Sequence, residues 1–201
     1  MPRRHRTSPN ITATAAALRC AAVLLSLAVA ALPSAVAAAE STYDFASDGP
    51  RYSFEFRFDV KATPDEALEV LYGFQHLKRF SRRASDVALL DEGEDWQTVR
   101  FTYSTWLWSM HTTFRRELDR PNRRVRFHMT EAGRTGLPVP LPTGSSGEYQ
   151  LEPLPDGVRI VYRQSVDNRD SFMLGPWIAL ARSEAVLFSR DLEAYVRSQF
   201  D

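Results

Sequence analysis

The residues that could do chemistry are polar side chains placed among apolar ones in segments of alternating pattern. Arg116 shares a predicted strand face with Phe114 and Leu118, because side chains on a strand point alternately to opposite faces. A buried guanidinium needs a partner, which is either a carboxylate such as Glu184 or a polar group of a ligand. A structural ion pair and a ligand contact therefore both remain open for Arg116.

Tyrosines and a glutamine lie among apolar residues on the same faces of the other predicted strands. An apolar cavity with a few convergent polar groups is typical of sites that bind a lipid, a sterol-like molecule or another hydrophobic small molecule. The candidate cavity residues are Phe101, Tyr103, Phe114, Arg116, Phe127, Tyr149, Tyr162, Gln164, Glu184 and Phe188.

Other site chemistries find little support, and we predict no catalytic residue, no metal site and no cofactor. Beyond the N-terminal segment the histidines are His76, His111 and His128, which are far apart, and there is no cysteine to complete a ligand set. The Gly-Ser-Ser-Gly run at 144–147 precedes a predicted strand. The Gly-x-Ser-x-Gly elbow of hydrolases instead joins a strand to a helix.

A short basic cluster offers a candidate surface for transient contact with a membrane. Arginine pairs with phosphate in a bidentate manner, so these side chains could meet anionic lipid headgroups. A solvated surface that offsets nearby acidic residues is the alternative. The cluster consists of Lys78, Arg79, Phe80, Arg82 and Arg83.

The N-terminal segment has the pattern of an export signal. Residues 1–39 hold four of the 25 basic residues and none of the 25 acidic ones, so the rest of the chain carries a formal charge of −4. The basic start is followed by an apolar run at 20–32, then Pro33 and small residues up to Ala39, as in cleaved secretory signals. We expect an exported, periplasmic or secreted protein that binds no nucleic acid, and residues 40–50 are predicted to form a flexible leader.

Alternation and turn residues predict seven strands, which form an antiparallel sheet because short polar connections separate them. The first strand leads into Thr63-Pro64-Asp65-Glu66, an N-cap followed by an early proline and a capping-box glutamate. A helix therefore begins at Pro64, and a second short helical turn covers 77–80. The predicted strands are 52–62, 87–91, 96–105, 109–118, 124–130, 147–154 and 158–166.

Two further segments complete the predicted organisation. Apolar residues recur at helical spacing from Pro176 onward, which predicts a long amphipathic helix at the C-terminus. Residues 133–146 are rich in glycine, proline and serine, and a connection of that length in a compact domain is often functional. We predict that it forms a lid that moves on Gly133, Gly136 and Gly144.

This order of elements resembles the START-like superfamily, which includes polyketide cyclase/dehydrase-like (SRPBCC) proteins and Bet v 1-like proteins. The resemblance covers residues 51–201 and rests on the long first strand, the capped helix, the series of strands and the C-terminal helix. It implies an α+β helix-grip fold, in which a curved seven-stranded antiparallel sheet wraps a long C-terminal helix and two short helices follow strand 1.

The resemblance and the absence of catalytic motifs together favour a protein that binds or carries an apolar small molecule or lipid, as a monomer. An enzyme of the cyclase or dehydratase type is the first alternative, in which cavity groups polarise a carbonyl or move a proton on a hydrophobic substrate. A protein-interaction module of the cell envelope is the second alternative.

Overall fold

The structure, a computed structural model, describes residues 41–137, 140–169 and 174–200. The predicted export signal at 1–39 lies outside this range. None of the helices in the described ranges is long and apolar enough to cross a membrane.

Eight strands and three helices make up the described chain. Their order along the sequence is β1 (Thr42–Asp48), β2 (Arg51–Val60), α1 (Pro64–Tyr72), α2 (Phe74–Phe80), β3 (Asp86–Glu92), β4 (Trp96–Ser104), β5 (Trp108–Asp119), β6 (Arg124–Gly136), β7 (Pro142–Leu154), β8 (Gly157–Asn168) and α3 (Leu174–Arg197).

All eight strands belong to one antiparallel sheet with the order β1-β2-β8-β7-β6-β5-β4-β3. Strands β3 to β8 follow one another as the predicted series of neighbours, and β2 joins the end of that series by pairing with β8. Helices α1 and α2 connect β2 to β3, which is the far edge of the sheet. The three helices contribute to the same hydrophobic core as one face of the sheet.

The strand count differs from the predicted seven because the expected flexible leader contains a strand. Strand β1 pairs with β2 through a two-residue turn at Gly49 and Pro50, and Gly49 has a φ of +54°. Glycine adopts this left-handed conformation without steric cost, as tight hairpin turns require. Phe45 stacks on Tyr52 with ring centroids 5.4 Å apart. The two short helices consequently follow the second strand and not the first.

The start of α1 confirms the predicted cap. The Thr63 hydroxyl accepts a hydrogen bond from the backbone N–H of Glu66, and the Glu66 carboxylate accepts one from the backbone N–H of Thr63. These two bonds satisfy donors that a helix N-terminus otherwise leaves without partners. The helix buries Leu68 and Leu71, and α2 buries Phe80.

The core lies between the helices and the face of the sheet that carries Phe54, Phe56 and Phe58, which we call the inner face. Its residues alternate with exposed or half-buried ones along β2, as predicted. Helix α3 lies closest to β1, β2, α1 and α2. Its buried residues all belong to its C-terminal half, and they are Ala185, Ser189, Leu192 and Val196.

The predicted lid is much shorter than expected, because most of residues 133–146 continues the sheet. Strand β6 runs to Gly136 and β7 begins at Pro142, so the lid glycines Gly133, Gly136 and Gly144 are strand residues. Gly136 has a φ of +83° and packs closely on the backbone of Leu107. The remaining connection, 137–141, lies partly outside the described residues.

Candidate functional site

An aromatic cluster on the inner face brings together most of the predicted cavity residues. Phe127 lies 5.8 Å from Tyr162 and 5.9 Å from both Phe114 and Tyr149, measured between ring centroids. Helix α3 joins this cluster through Phe188, whose ring is 5.3 Å from that of Tyr162. The inward direction of these side chains is therefore as the alternation predicts.

The cluster is closed at one end and accessible at the other. Phe127, Tyr149 and Tyr162 are at most 8% exposed. The remaining members are half-buried, although they lie on the inner face, and we call the surface that they form the aromatic recess. The recess is made of Phe101, Tyr103, Phe114 and Phe188.

The position of α3 explains why the recess stays accessible. The C-terminal half of the helix is buried against the core, whereas the N-terminal half, from Leu174 to Glu184, is half-buried or exposed. Near its start, Trp177 contacts Trp108 of β5 edge to face, with centroids 6.5 Å apart. Because α3 packs mainly against β1, β2 and the two short helices, it leaves the rings that β4 and β5 direct inward partly uncovered.

The polar groups beside the recess are neutral hydrogen-bonding groups. The Tyr162 hydroxyl donates to Oε1 of Gln164 at 2.8 Å, and Nε2 of Gln164 donates to Oγ of Ser145 at 3.0 Å. Burial raises the pKa of Tyr103 to about 12 and raises that of Tyr149 as well. Burial disfavours the charged form of a phenol, so both keep their proton at neutral pH.

Arg116 lies in neither of the two arrangements expected from the sequence. Its guanidinium donates to the main-chain carbonyls of Leu71 at 2.5 Å and Tyr72 at 3.0 Å, at the C-terminal end of α1. A positive charge is favourable there because the last carbonyls of a helix lack partners within the helix. Nε2 of Gln97 also donates to the Tyr72 carbonyl, at 2.6 Å. Arg116 therefore holds α1 onto the sheet.

Glu184 pairs with a different arginine. Its carboxylate accepts two hydrogen bonds from Arg83, at 2.6 and 3.0 Å. The neighbouring Arg82 pairs with Asp191, which lies further along α3. Phe80, between these arginines and the core, is 1% exposed. Two basic residues of the predicted cluster, Arg82 and Arg83, thus pair with α3, although all four basic residues of the cluster, including Lys78 and Arg79, are exposed.

Histidine and acidic residues do not converge within the described ranges, where no group of three or more could hold a metal ion. His76 Nδ1 lies 2.8 Å from the Tyr195 hydroxyl, which links α2 to α3. His111 lies 3.7 Å from a Glu131 oxygen on the outer face.

The sequence analysis missed an exposed apolar tip between β4 and β5. Trp106 is 90% exposed, and beside it Leu107 is 40% and Leu137 is 49% exposed. The backbone N–H of Leu137 donates to the Leu107 carbonyl at 3.1 Å, so these residues form one surface, which we call the Trp106 tip. Hairpin turns usually carry polar residues, whereas this one carries Trp106 and Leu107. That departure is the sequence signal from which the apolar tip could have been predicted.

A groove of about 660 Å³ lies on the opposite, outer face of the sheet. Its wall carries charged side chains, several of which pair with one another. Arg163 donates to Glu55 at 2.6 Å and to Glu148 at 3.3 Å. The groove is therefore distinct from the aromatic recess in both place and chemistry. Other outward residues of its wall are Asp44, Ser53, Glu117, Arg126, His128, Ser146 and Ser165.

Known proteins resemble this chain in structure. No family model matches it and no curated protein matches its sequence. Among solved structures, a protein from Thermus thermophilus shares 16% identity at a TM-score of 0.61, with 74% of this chain and 99% of that one aligned.

Two further structures carry descriptive names. The Zhui aromatase/cyclase from Streptomyces sp. R1128 shares 21% identity at a TM-score of 0.55, with 73% of this chain and 94% of that one aligned. A STAR-related lipid transfer protein fragment from Xanthomonas axonopodis shares 16% identity at a TM-score of 0.54, with 79% and 98% aligned. The chain therefore has the START-like, helix-grip fold that the sequence predicts.

Proposed function

We propose that this protein binds an apolar small molecule or lipid in the aromatic recess. The observation that carries the proposal is that four aromatic rings on the inner face stay half-buried, whereas the neighbouring rings of Phe127, Tyr149 and Tyr162 are buried. Apolar surface in contact with water is unfavourable by about 25 cal/mol per Å², so a ligand that covers these rings gains that free energy.

The fold supports the same proposal. Solved structures with this fold include a protein named for lipid transfer and one named as an aromatase/cyclase. Helix-grip proteins differ in function, so the fold alone does not assign one. We further propose that the protein works outside the cytoplasm, because residues 1–39 have the pattern of an export signal.

Binding without catalysis is the function that the side chains favour over the enzyme alternative. An enzyme of the cyclase or dehydratase type would polarise a carbonyl or move a proton with cavity groups such as Tyr103, Arg116, Tyr162 or Glu184. The two charged groups of this set hold other contacts. Arg116 donates to carbonyls of α1, and Glu184 accepts from Arg83. The groups that border the recess are neutral phenols and an amide.

A charge placed in the recess is expected to abolish binding of an apolar molecule. In Phe101→Glu, bound fluorene would have to remove a carboxylate from water, so its dissociation constant should rise at least about tenfold. Equilibrium dialysis with fluorene measures this constant.

The matched control is Leu90→Glu, which introduces the same charge at an apolar residue of β3 that is 47% exposed. This variant should bind fluorene as the unmodified protein does. Circular dichroism checks that both variants are folded. Equal affinity of folded Phe101→Glu and the unmodified protein would show that the recess is not the binding site.

We also propose that the protein contacts a membrane surface through the Trp106 tip and not through the basic cluster of α2. Tryptophan favours the membrane interface because its ring is large and apolar yet carries a polar N–H. The charged residue in the segments 104–110 and 133–137 is Arg134, whose positive charge complements anionic headgroups.

Removing the exposed indole is expected to weaken membrane association. In co-sedimentation with vesicles of phosphatidylcholine and phosphatidylglycerol, Trp106→Ser should bind at least about fivefold less than the unmodified protein. Leu90→Ser is the control, since it removes an exposed apolar side chain elsewhere. Equal loss of binding in both variants, or in neither, would contradict a specific role of the Trp106 tip.

A further inference from the structure

One buried phenol of the aromatic cluster has a hydroxyl that the protein does not satisfy. Tyr149 is 4% exposed, and within residues 41–137, 140–169 and 174–200 its hydroxyl has no hydrogen-bonding partner. The neighbouring Tyr162 differs, because its hydroxyl donates to Gln164. Buried polar groups are almost always hydrogen-bonded in native proteins, so such a group calls for a ligand or a trapped water.

A second phenol without a partner lies nearby. The hydroxyl of Tyr103, in the recess, likewise lacks a hydrogen-bonding partner among the described residues. Burial is the main cause of the raised pKa of Tyr149, which the positive charge of Arg116 lowers and the Tyr103 phenol raises further. The Tyr149 ring is held by Tyr162 at 4.8 Å and Phe127 at 5.9 Å, so its hydroxyl has a fixed position.

Both hydroxyls are donors without an acceptor among the described residues, Tyr103 in the recess and Tyr149 in the buried part of the same cluster. Burial raises the pKa of each phenol, so each carries its proton at neutral pH. The guanidinium of Arg116 is buried against carbonyls and not against a carboxylate, which adds positive potential on the same side. Two neutral donors beside a buried positive charge attract an acceptor oxygen.

We propose that Tyr149 and Tyr103 bind a neutral carbonyl oxygen of the ligand, whose remaining surface is an apolar ring system that packs on the recess. This inference rests on the proposed function and specifies the class of ligand. A hydrocarbon would leave both hydroxyls without partners. A carboxylate would have to leave water for a recess made of aromatic rings, and Arg116 already donates to the carbonyls of α1 and forms no ion pair with it.

The test compares 9-fluorenone with fluorene, which has the same ring skeleton without the carbonyl. We expect the unmodified protein to bind 9-fluorenone about tenfold more tightly, as one or two buried hydrogen bonds provide. In Tyr149→Phe, the affinity for fluorene should stay the same and the preference for 9-fluorenone should fall to near unity. Equilibrium dialysis measures both affinities.

An infrared measurement reports on the hydrogen bond independently of affinity. The carbonyl stretch of bound 9-fluorenone should lie at lower frequency than in hexane and shift back upward in Tyr149→Phe, because hydrogen bonding weakens the C=O bond. Tyr195→Phe is the matched control, since that hydroxyl already has a partner in His76. It should change neither the frequency nor the preference.

The outcomes separate this inference from the function on which it rests. If neither compound binds, the proposed function fails. If both bind equally and Tyr149→Phe changes nothing, the protein still binds apolar molecules, but the hydroxyl meets only water and this inference is overturned. Tighter binding of fluorene-9-carboxylate than of 9-fluorenone would overturn the neutral carbonyl as the preferred group.

Discussion

Arg116→Met is expected to lower the free energy of unfolding by about 3 kcal/mol, because two buried carbonyls lose a charged donor. The guanidinium is 2% exposed and donates to Leu71 and Tyr72 at the end of α1. Methionine has a similar length and fills the space without donating. Differential scanning calorimetry should show a midpoint lower by about 6 to 12 °C for a domain of this size.

The neighbouring arginine provides the control. Arg115 points to the outer face, where its guanidinium lies 3.7 Å from the centre of the Trp96 ring. Arg115→Met should cost about 1 kcal/mol or less, as is typical of an exposed cation–π contact. If both variants unfold at the same temperature, the bonds from Arg116 to the two carbonyls of α1 do not stabilise the fold. The alternative role of Arg116 as a ligand contact would then be favoured.

Gly147→Ala is expected to destabilise the protein by at least about 2 kcal/mol, the cost of forcing an added carbon into a packed core. A methyl group at this position would overlap the carbonyl oxygen of Arg163 and the ring of Phe127. Neither can move easily, since the carbonyl belongs to β8 and the ring is packed against Tyr149 and Tyr162. Urea unfolding followed by circular dichroism measures the change.

Gly144→Ala is the matched control on the same strand. An added methyl there would meet only Asp167, whose Oδ2 atom is 3.6 Å away in ordinary contact. This variant should be as stable as the unmodified protein or slightly more so, because alanine has fewer unfolded conformations than glycine. Equal destabilisation of both variants would indicate a general intolerance of β7 and not a close contact at Gly147.

Local signals in the sequence were sufficient for most of the fold. The cap of α1 depends on residues within four positions of one another, and the alternation in β2 reflects a single buried face. The residues of β5 that point to the inner face were also predicted correctly. The β-bulge between β5 and β6 explains this, because its extra residue, Thr130, belongs to β6 and not to β5. The alternation of β5 is therefore uninterrupted.

Features that depend on distant partners were not predictable from local pattern. Strand β1 exists because Phe45 and its neighbours pair with β2, and the glycine-rich segment extends the sheet because β6 and β7 have partners there. The partner of Arg116 lies 44 and 45 residues earlier, on main-chain atoms that no side-chain pattern reveals. An ion pair with Glu184, one of the two alternatives that the sequence left open for Arg116, does not form, because Glu184 pairs with Arg83.

The most direct test of binding in the aromatic recess is to locate a bound apolar molecule by NMR. Intermolecular NOEs between protonated fluorene and the deuterated protein, in which only Phe and Tyr rings carry hydrogen, identify the rings that touch it. The account predicts NOEs to Phe101, Tyr103 and Phe114. NOEs confined to rings outside the recess, or none to any ring at saturating fluorene, would contradict it.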